Sequence, residues 1–145
     1  MVKTLSGFQR QLCDIQGRLF ELSLAKGLDS SSFIQKFMNS ETCAFLDMPY
    51  DRLQWAGEEY ILENLLAETQ IKTGDKQYSK EVLFWTGYVY RYWHLLTGES
   101  SRDIYEQSGA RQMDECYHGF HALDVAMAIE DLKEIHRQKN SHREA

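Results

Sequence analysis

The sequence predicts an all-α fold, a compact single-domain bundle of six to eight helices around a central aromatic helix at about residues 80–97. Three observations carry that prediction. Apolar residues recur at spacings of three and four over residues 5–22, the clearest periodic signal in the chain. No stretch shows the apolar/polar alternation of a half-buried strand. The chain has one proline and nine glycines in 145 residues, and proline costs roughly 3 kcal/mol inside a helix, so few positions resist helix formation. A length of 145 residues suits one domain, here 1–138, with a frayed C-terminal tail at 139–145.

The first helix is expected over about 3–26. Leu5, Phe8, Leu12, Ile15, Leu19 and Leu22 form an a/d seam there, and Gly27 follows as a C-terminal cap. That seam over residues 5–22 suits packing inside the domain or zipping against a second copy in a homodimer. Ser30 or Ser31 caps a short helix bearing Phe33, Ile34, Phe37 and Met38, which ends near Asn39. A turn of helix is expected at 41–46. Asp47 and Pro49 then read as the start of a longer helix to about 69, since proline in a first turn costs no hydrogen bond. KTGDKQ (72–77) reads as a turn, and Ser79 caps the aromatic helix, which stops at Gly98. Ser100 and Asp103 open a helix over 101–108, another covers about 110–118, and Asp124 caps the last, 125–138.

Charge narrows the function classes. The formal charge is −6, from 22 acidic and 16 basic side chains. By thirds, residues 1–50 balance, residues 51–97 carry −2 and residues 98–145 carry −4, so the acidity gathers toward the C-terminus. Phosphate backbones select basic surfaces, which argues against nucleic acid and for a basic protein partner. Cys13, Cys43 and Cys116 form no CxxC pair, so neither a zinc knuckle nor a disulfide framework is expected. No window approaches the ~20 apolar residues of a membrane span, and MVKTLSGFQRQLCDIQ lacks the apolar run of a signal peptide. The expected compartment is the cytoplasm.

The segment WTGYVYRYWHLLTG (85–98) holds five aromatics. Its helix is apolar nearly all round, as a helix surrounded by neighbours should be. The exception is a strip where Gly87, Arg91 and His94 align at i, i+4 and i+7. Glycine there admits another backbone or a ligand. Glu58 falls on the apolar stripe of the expected 48–69 helix with Trp55, Leu62, Leu65 and Leu66, and Arg91 is its expected counter-ion. The strip and Glu58 therefore read first as a buried polar network and second as a small-ligand pocket.

Asp114, Cys116, His118 and His121 hint at metal ligands, but Gly119 is expected to break the helix between the histidines, leaving no metal site and His121 half-buried. The rhythm of residues 100–120, helix, Ser108-Gly109-Ala110 turn, second helix, is that of a helix-turn-helix transcription regulator. The second helix, however, would turn Asp114 and Glu115 toward phosphates. No phosphate-binding loop, zinc-protease or nucleophile-elbow motif occurs, and no catalytic residue, enzyme activity or cofactor is expected.

SSSFIQKFMNSE (30–41), YDRLQWAGEEYILE (50–63), WTGYVYRYWHLLTGESSRDIYEQ (85–107) and ALDVAMAIEDLKEI (122–135) together resemble a family of small uncharacterised helical proteins of gut Firmicutes and related bacteria, encoded near ADP-ribosyltransferase-like toxins. The resemblance covers roughly residues 10–137 and brings no catalytic residues with it. Related sequences carry a proline near the 108–110 turn, where this chain has Gly109. What the resemblance implies is an antitoxin-like or accessory companion, a non-catalytic protein that binds a partner such as the toxin encoded nearby. Asp114, Glu115, Glu130, Asp131 and Glu134 are the expected interaction surface.

Overall fold

Ser6 starts the first helix: its hydroxyl accepts from the Gln9 N–H, and the Gln9 side-chain oxygen accepts from the Ser6 N–H. The computed structural model describes residues 4–144, with the backbone alone at 143 and 144. Residues 1–3 of the expected domain and first helix, and residue 145 of the expected tail, lie outside the described residues. The helices are α1 (Gly7–Ala25), α2 (Ser30–Met38), α3 (Glu41–Asp47), α4 (Glu58–Glu68), α5 (Lys80–Thr97), α6 (Ser101–Gln107), α7 (Ala110–Phe120) and α8 (Val125–Glu144). A single 3-10 turn, Arg52–Trp55, precedes α4. No strand forms among the described residues, and an isolated bridge pairs Leu28 with Thr73. The all-α prediction holds.

The aromatic helix α5 takes the expected central place, packing along α1 and also against α6, α7 and α8. Two glycines allow the α1–α5 approach. A Cβ on Gly87 would lie 2.5 Å from the Gln16 carbonyl oxygen, and one on Gly17 would lie 2.7 Å from the Phe84 ring. Around this crossing, Phe20 meets Phe33 edge-on at 5.1 Å and Phe37 at 5.6 Å, with Tyr90 and Trp93 also fully buried. Each such side chain contributes roughly 1.5–3 kcal/mol by leaving water.

Several boundaries differ from expectation. The helix expected from Asp47 to 69 does not form. Asp47 instead ends α3, the 3-10 turn follows, and α4 begins only at Glu58, after Gly57 at φ +81°. A left-handed glycine breaks the run that Pro49 would otherwise have opened. The cap of α2 is Asp29, whose carboxylate accepts from the Ser32 N–H, rather than Ser30 or Ser31. Helix α7 runs through Gly119 to Phe120, because an exposed glycine costs only about 1 kcal/mol. Helix α8 continues to Glu144, through residues expected in the frayed tail.

The N-terminal seam is covered within the chain. Leu5, Leu12 and Leu19 are buried, and Ile15 and Leu22 are partly so, with α1 packed on α5 and α4. Phe8 is the seam residue left exposed. A homodimer zipped through residues 5–22 would have to displace these packed leucines.

Candidate functional site

Arg91 organises the interior where α1, α3 and α5 converge. It is 2% exposed, yet every nitrogen of its guanidinium has a partner. Nε donates to Gln16 Oε1 at 2.8 Å, Nη1 to Asp47 Oδ1 at 2.7 Å, and Nη2 reaches Cys43 Sγ at 3.5 Å. Gln16 Nε2 donates in turn to the Gly87 carbonyl at 2.9 Å, so one amide ties the glycine and the arginine of the strip to α1. The Asp47 carboxylate also accepts from the Ser101 N–H and hydroxyl, at 2.8 and 2.7 Å, which pins the start of α6.

His94 completes the strip. Its Nδ1 lies 2.6 Å from the Glu99 carbonyl oxygen and its Nε2 lies 3.1 Å from the Asp47 carbonyl oxygen. A neutral ring donates to one of these and an imidazolium to both. Burial disfavours charge on Arg91, but Cys43 and Asp47 beside it more than offset this, and the guanidinium is held above its ordinary value. Burial also pushes the Cys43 thiol up to about 11, although Arg91 works the other way, and the Cys13 thiol up to about 12.

Gly87, Arg91 and His94 therefore come together as the sequence suggests, while Glu58 does not join them. Glu58 occupies the first turn of α4, where its carboxylate lies 3.4 Å from Arg18 Nε on the surface. The counter-ion of Arg91 is Asp47, an interaction across forty-four positions that helix periodicity cannot show. Nor is there room for a ligand. The space beside Arg91, bounded by Leu12, Gln16, Leu46, Gln54 and Ile61 among others, measures about 10 Å³, and a water molecule needs roughly 10–15 Å³. The network is a closed structural joint.

A second polar cluster sits at the far end of α5. Glu99 accepts from Trp93 Nε1 at 2.9 Å, Lys133 Nζ at 2.8 Å and Gln107 Nε2 at 2.7 Å. Partial burial raises its carboxyl, but the hydrogen bonds from Lys133, Gln107, Thr97 and Trp93 prevail and bring it to about 2. This cluster locks α8 and α6 onto α5.

The other expected sites disperse. His118 and His121 are both exposed, correcting the half-buried placement of His121, which stacks on Tyr117 at 4.4 Å. Among the described residues no three His, Cys, Asp or Glu side chains gather to hold a metal, and no helix is long and apolar enough to cross a membrane. On the expected acidic surface, Asp114 is half-buried, Glu115 pairs with Arg111 at 2.9 Å, and Glu134 pairs with Arg137 at 2.8 Å. Glu130 and Asp131 are exposed. Helices α6 and α7 form the expected pair, with Arg111, Glu115 and His118 as exposed positions of α7.

Two shallow grooves open to solvent, each of about 600 Å³. Phe84, Trp85 and Tyr88 of α5, with Tyr117, line one of them, and its Glu21 is occupied by Lys80 at 3.4 Å. Phe45, Leu53, Ala56 and Tyr60 line the other, with Asp51, Arg52 and Asn64. Periodicity misassigned this second region, since Trp55 and Leu66 lie outside the core rather than on a buried stripe. Tyr50 is 87% exposed and Trp55 61%, with Phe45, Met48 and Tyr60 also exposed. Tyr50 is the one non-glycine residue among those described with positive φ, at +67°. No family model matches the chain, and no curated protein or solved structure does either.

Proposed function

We propose that this chain is a non-catalytic interaction protein, an antitoxin-like or accessory partner acting in the cytoplasm, and that it holds its partner through the aromatic surface of residues 45–60. The observation that supports this reading most is the display of Phe45, Met48, Tyr50, Trp55 and Tyr60 to solvent within one short segment. Single exposed apolar residues are ordinary on any surface, whereas exposed aromatics grouped together mark contact sites. Tyr50 adds a second argument. Positive φ on a bulky residue costs of order 1–3 kcal/mol, and no burial offsets that cost at a side chain 87% exposed. A strained aromatic held in water fits a residue kept for what it touches.

The charged groups of the interior give no competing reading. Each nitrogen of the Arg91 guanidinium meets Gln16, Asp47 or Cys43, and the space beside it is only about 10 Å³. The test is affinity capture of tagged protein from its native cells with the neighbouring gene product expressed, using wild type and Tyr50→Ala/Trp55→Ala. Wild type should retain a stoichiometric protein that the double variant releases, with both melting as folded proteins. Equal retention by both, or a blank with both, would remove the proposal.

A further inference from the structure

Residues 41–69 hold seven acidic side chains (Glu41, Asp47, Asp51, Glu58, Glu59, Glu63 and Glu68) against one basic, Arg52. Fifteen acidic and fifteen basic side chains make up the rest of the chain, so this one segment accounts for the whole formal charge of −6. Four of the seven have partners within the chain. Asp47 holds Arg91, Glu58 pairs with Arg18 at the surface, Asp51 caps the 3-10 turn through the Leu53 N–H, and Glu68 caps the start of α3 through the Glu41 and Thr42 N–H groups. Glu59 and Glu63 are exposed on α4 at i, i+4, where like charges repel, and no basic residue lies in the last turn of that helix. Asp51 and Arg52 both line the groove itself.

The groove between α3, the 3-10 turn and α4 has an apolar floor and walls, Leu53, Ala56, Phe45 and Tyr60, with Asp51, Arg52 and Asn64 as its polar lining, and Glu59 and Glu63 are exposed on the helix that supplies Tyr60 and Asn64. The groove, about 600 Å³, is open to solvent along its length, which suits a segment laid across it. Resting on the interaction reading above, we infer that this groove receives a lysine- or arginine-rich amphipathic segment of a partner protein. Apolar side chains of that segment seat against Phe45, Leu53 and Tyr60, and its cations face Asp51, Glu59 and Glu63. A second copy docking by the same face would bring two acidic surfaces together, and anionic lipid or nucleic acid would meet the same repulsion.

The probe is a synthetic helical peptide of leucine and lysine at i, i+3, i+4 spacing, with a control peptide carrying glutamate in place of lysine. Binding is measured by calorimetry at two salt concentrations to the full chain and three variants: Glu59→Gln/Glu63→Gln, Tyr60→Ala, and Glu130→Gln/Asp131→Asn. The last removes the same number of charges from the α8 surface. The lysine peptide should bind more weakly at higher salt. The α4 charge variant and Tyr60→Ala should each weaken it at least about fivefold, the α8 variant less than about twofold. Failure of the lysine peptide to bind, equal binding of the glutamate peptide, or equal weakening by the α8 variant would overturn the inference. So would a dimer in sedimentation that Tyr60→Ala dissolves. A partner captured through Tyr50 and Trp55 alongside a peptide that fails to bind would leave the interaction reading standing and remove only the cationic segment.

Discussion

Arg91 Nη1 lies 2.7 Å from Asp47 Oδ1, at a position where the arginine is 2% and the aspartate 13% exposed. The pair joins the middle of α5 to the last residue of α3, and Ser101 hangs α6 from the same carboxylate. Removing one partner of a buried ion pair leaves the other charge uncompensated, at a cost of about 3–5 kcal/mol. Arg91→Met should lower the urea midpoint accordingly, whereas Glu58→Gln should shift stability by less than about 1 kcal/mol because its pair with Arg18 is on the surface. Equal effects of the two would mean that Asp47 is not the counter-ion.

The α1–α5 crossing gives a steric prediction. Gly87→Ala would place a methyl 2.5 Å from the Gln16 carbonyl oxygen and 2.9 Å from Phe20 Cγ. Relieving that overlap requires moving backbone, so a loss of about 1–3 kcal/mol or more is expected. Gly119→Ala, with nothing within 4 Å of the new methyl, should gain up to about 1 kcal/mol of helix propensity. Thermal melts of the two variants should move in opposite directions.

Acid should loosen the joint between α5 and α8. The Glu99 carboxyl is depressed to about 2 in the folded state and returns to an ordinary carboxylate value of about 4.3 on unfolding. A depressed group contributes stability that is present above the unfolded value and is lost as pH falls through the folded one. Wild type should therefore lose stability between about pH 4.5 and pH 2 relative to Glu99→Gln, which lacks this titration. Parallel pH profiles over that window would contradict the network.

Thiol chemistry checks the interior independently. Burial raises Cys13 to about 12 and Cys43 to about 11, and it raises the half-buried Cys116 less. Because the thiolate is the nucleophile, the folded protein at pH 8 should react with Ellman's reagent only slowly and through Cys116. Denatured protein should release the signal of all three cysteines. Rapid labelling of Cys43 in the folded state would show that the Arg91 joint opens.

Tyr50 offers a separation of stability from binding. Glycine adopts φ +67° freely, so Tyr50→Gly should leave stability unchanged or raise it by up to about 1 kcal/mol. The same change should weaken partner retention. A marked loss of stability instead would show that the ring is held for folding.

The helices that carry their own signals were legible in the sequence. Ser79, Ser100, Gly27 and Gly98 mark ends at the residues where the chain caps or turns. The central place of α5 follows from its apolar residues on every side. Half of the Arg91 joint was also legible, as the strip of Gly87, Arg91 and His94; Gln16 was missed, although it is buried on the face of α1 that carries Leu12, Leu19 and Phe20, where a polar side chain demands a partner. Asp47 was not, since its role depends on where α3 ends relative to α5, forty-four positions on. The aromatic surface was misread because Trp55 and Leu66 fit helical spacing with Leu62 and Leu65, and periodicity says nothing about which face a neighbour covers. Division by thirds hid the charge of residues 41–69, because the segment straddles a boundary between neutral and mildly acidic thirds.

The most direct test of the functional account maps which face is covered in the cell. A photoreactive phenylalanine analogue placed at Tyr60 or at Glu130 is irradiated in native cells, and adducts are identified by mass spectrometry. The account predicts a protein adduct from position 60, on a lysine- or arginine-rich segment, and none from position 130. An adduct from position 130 alone, or none from either, would contradict it.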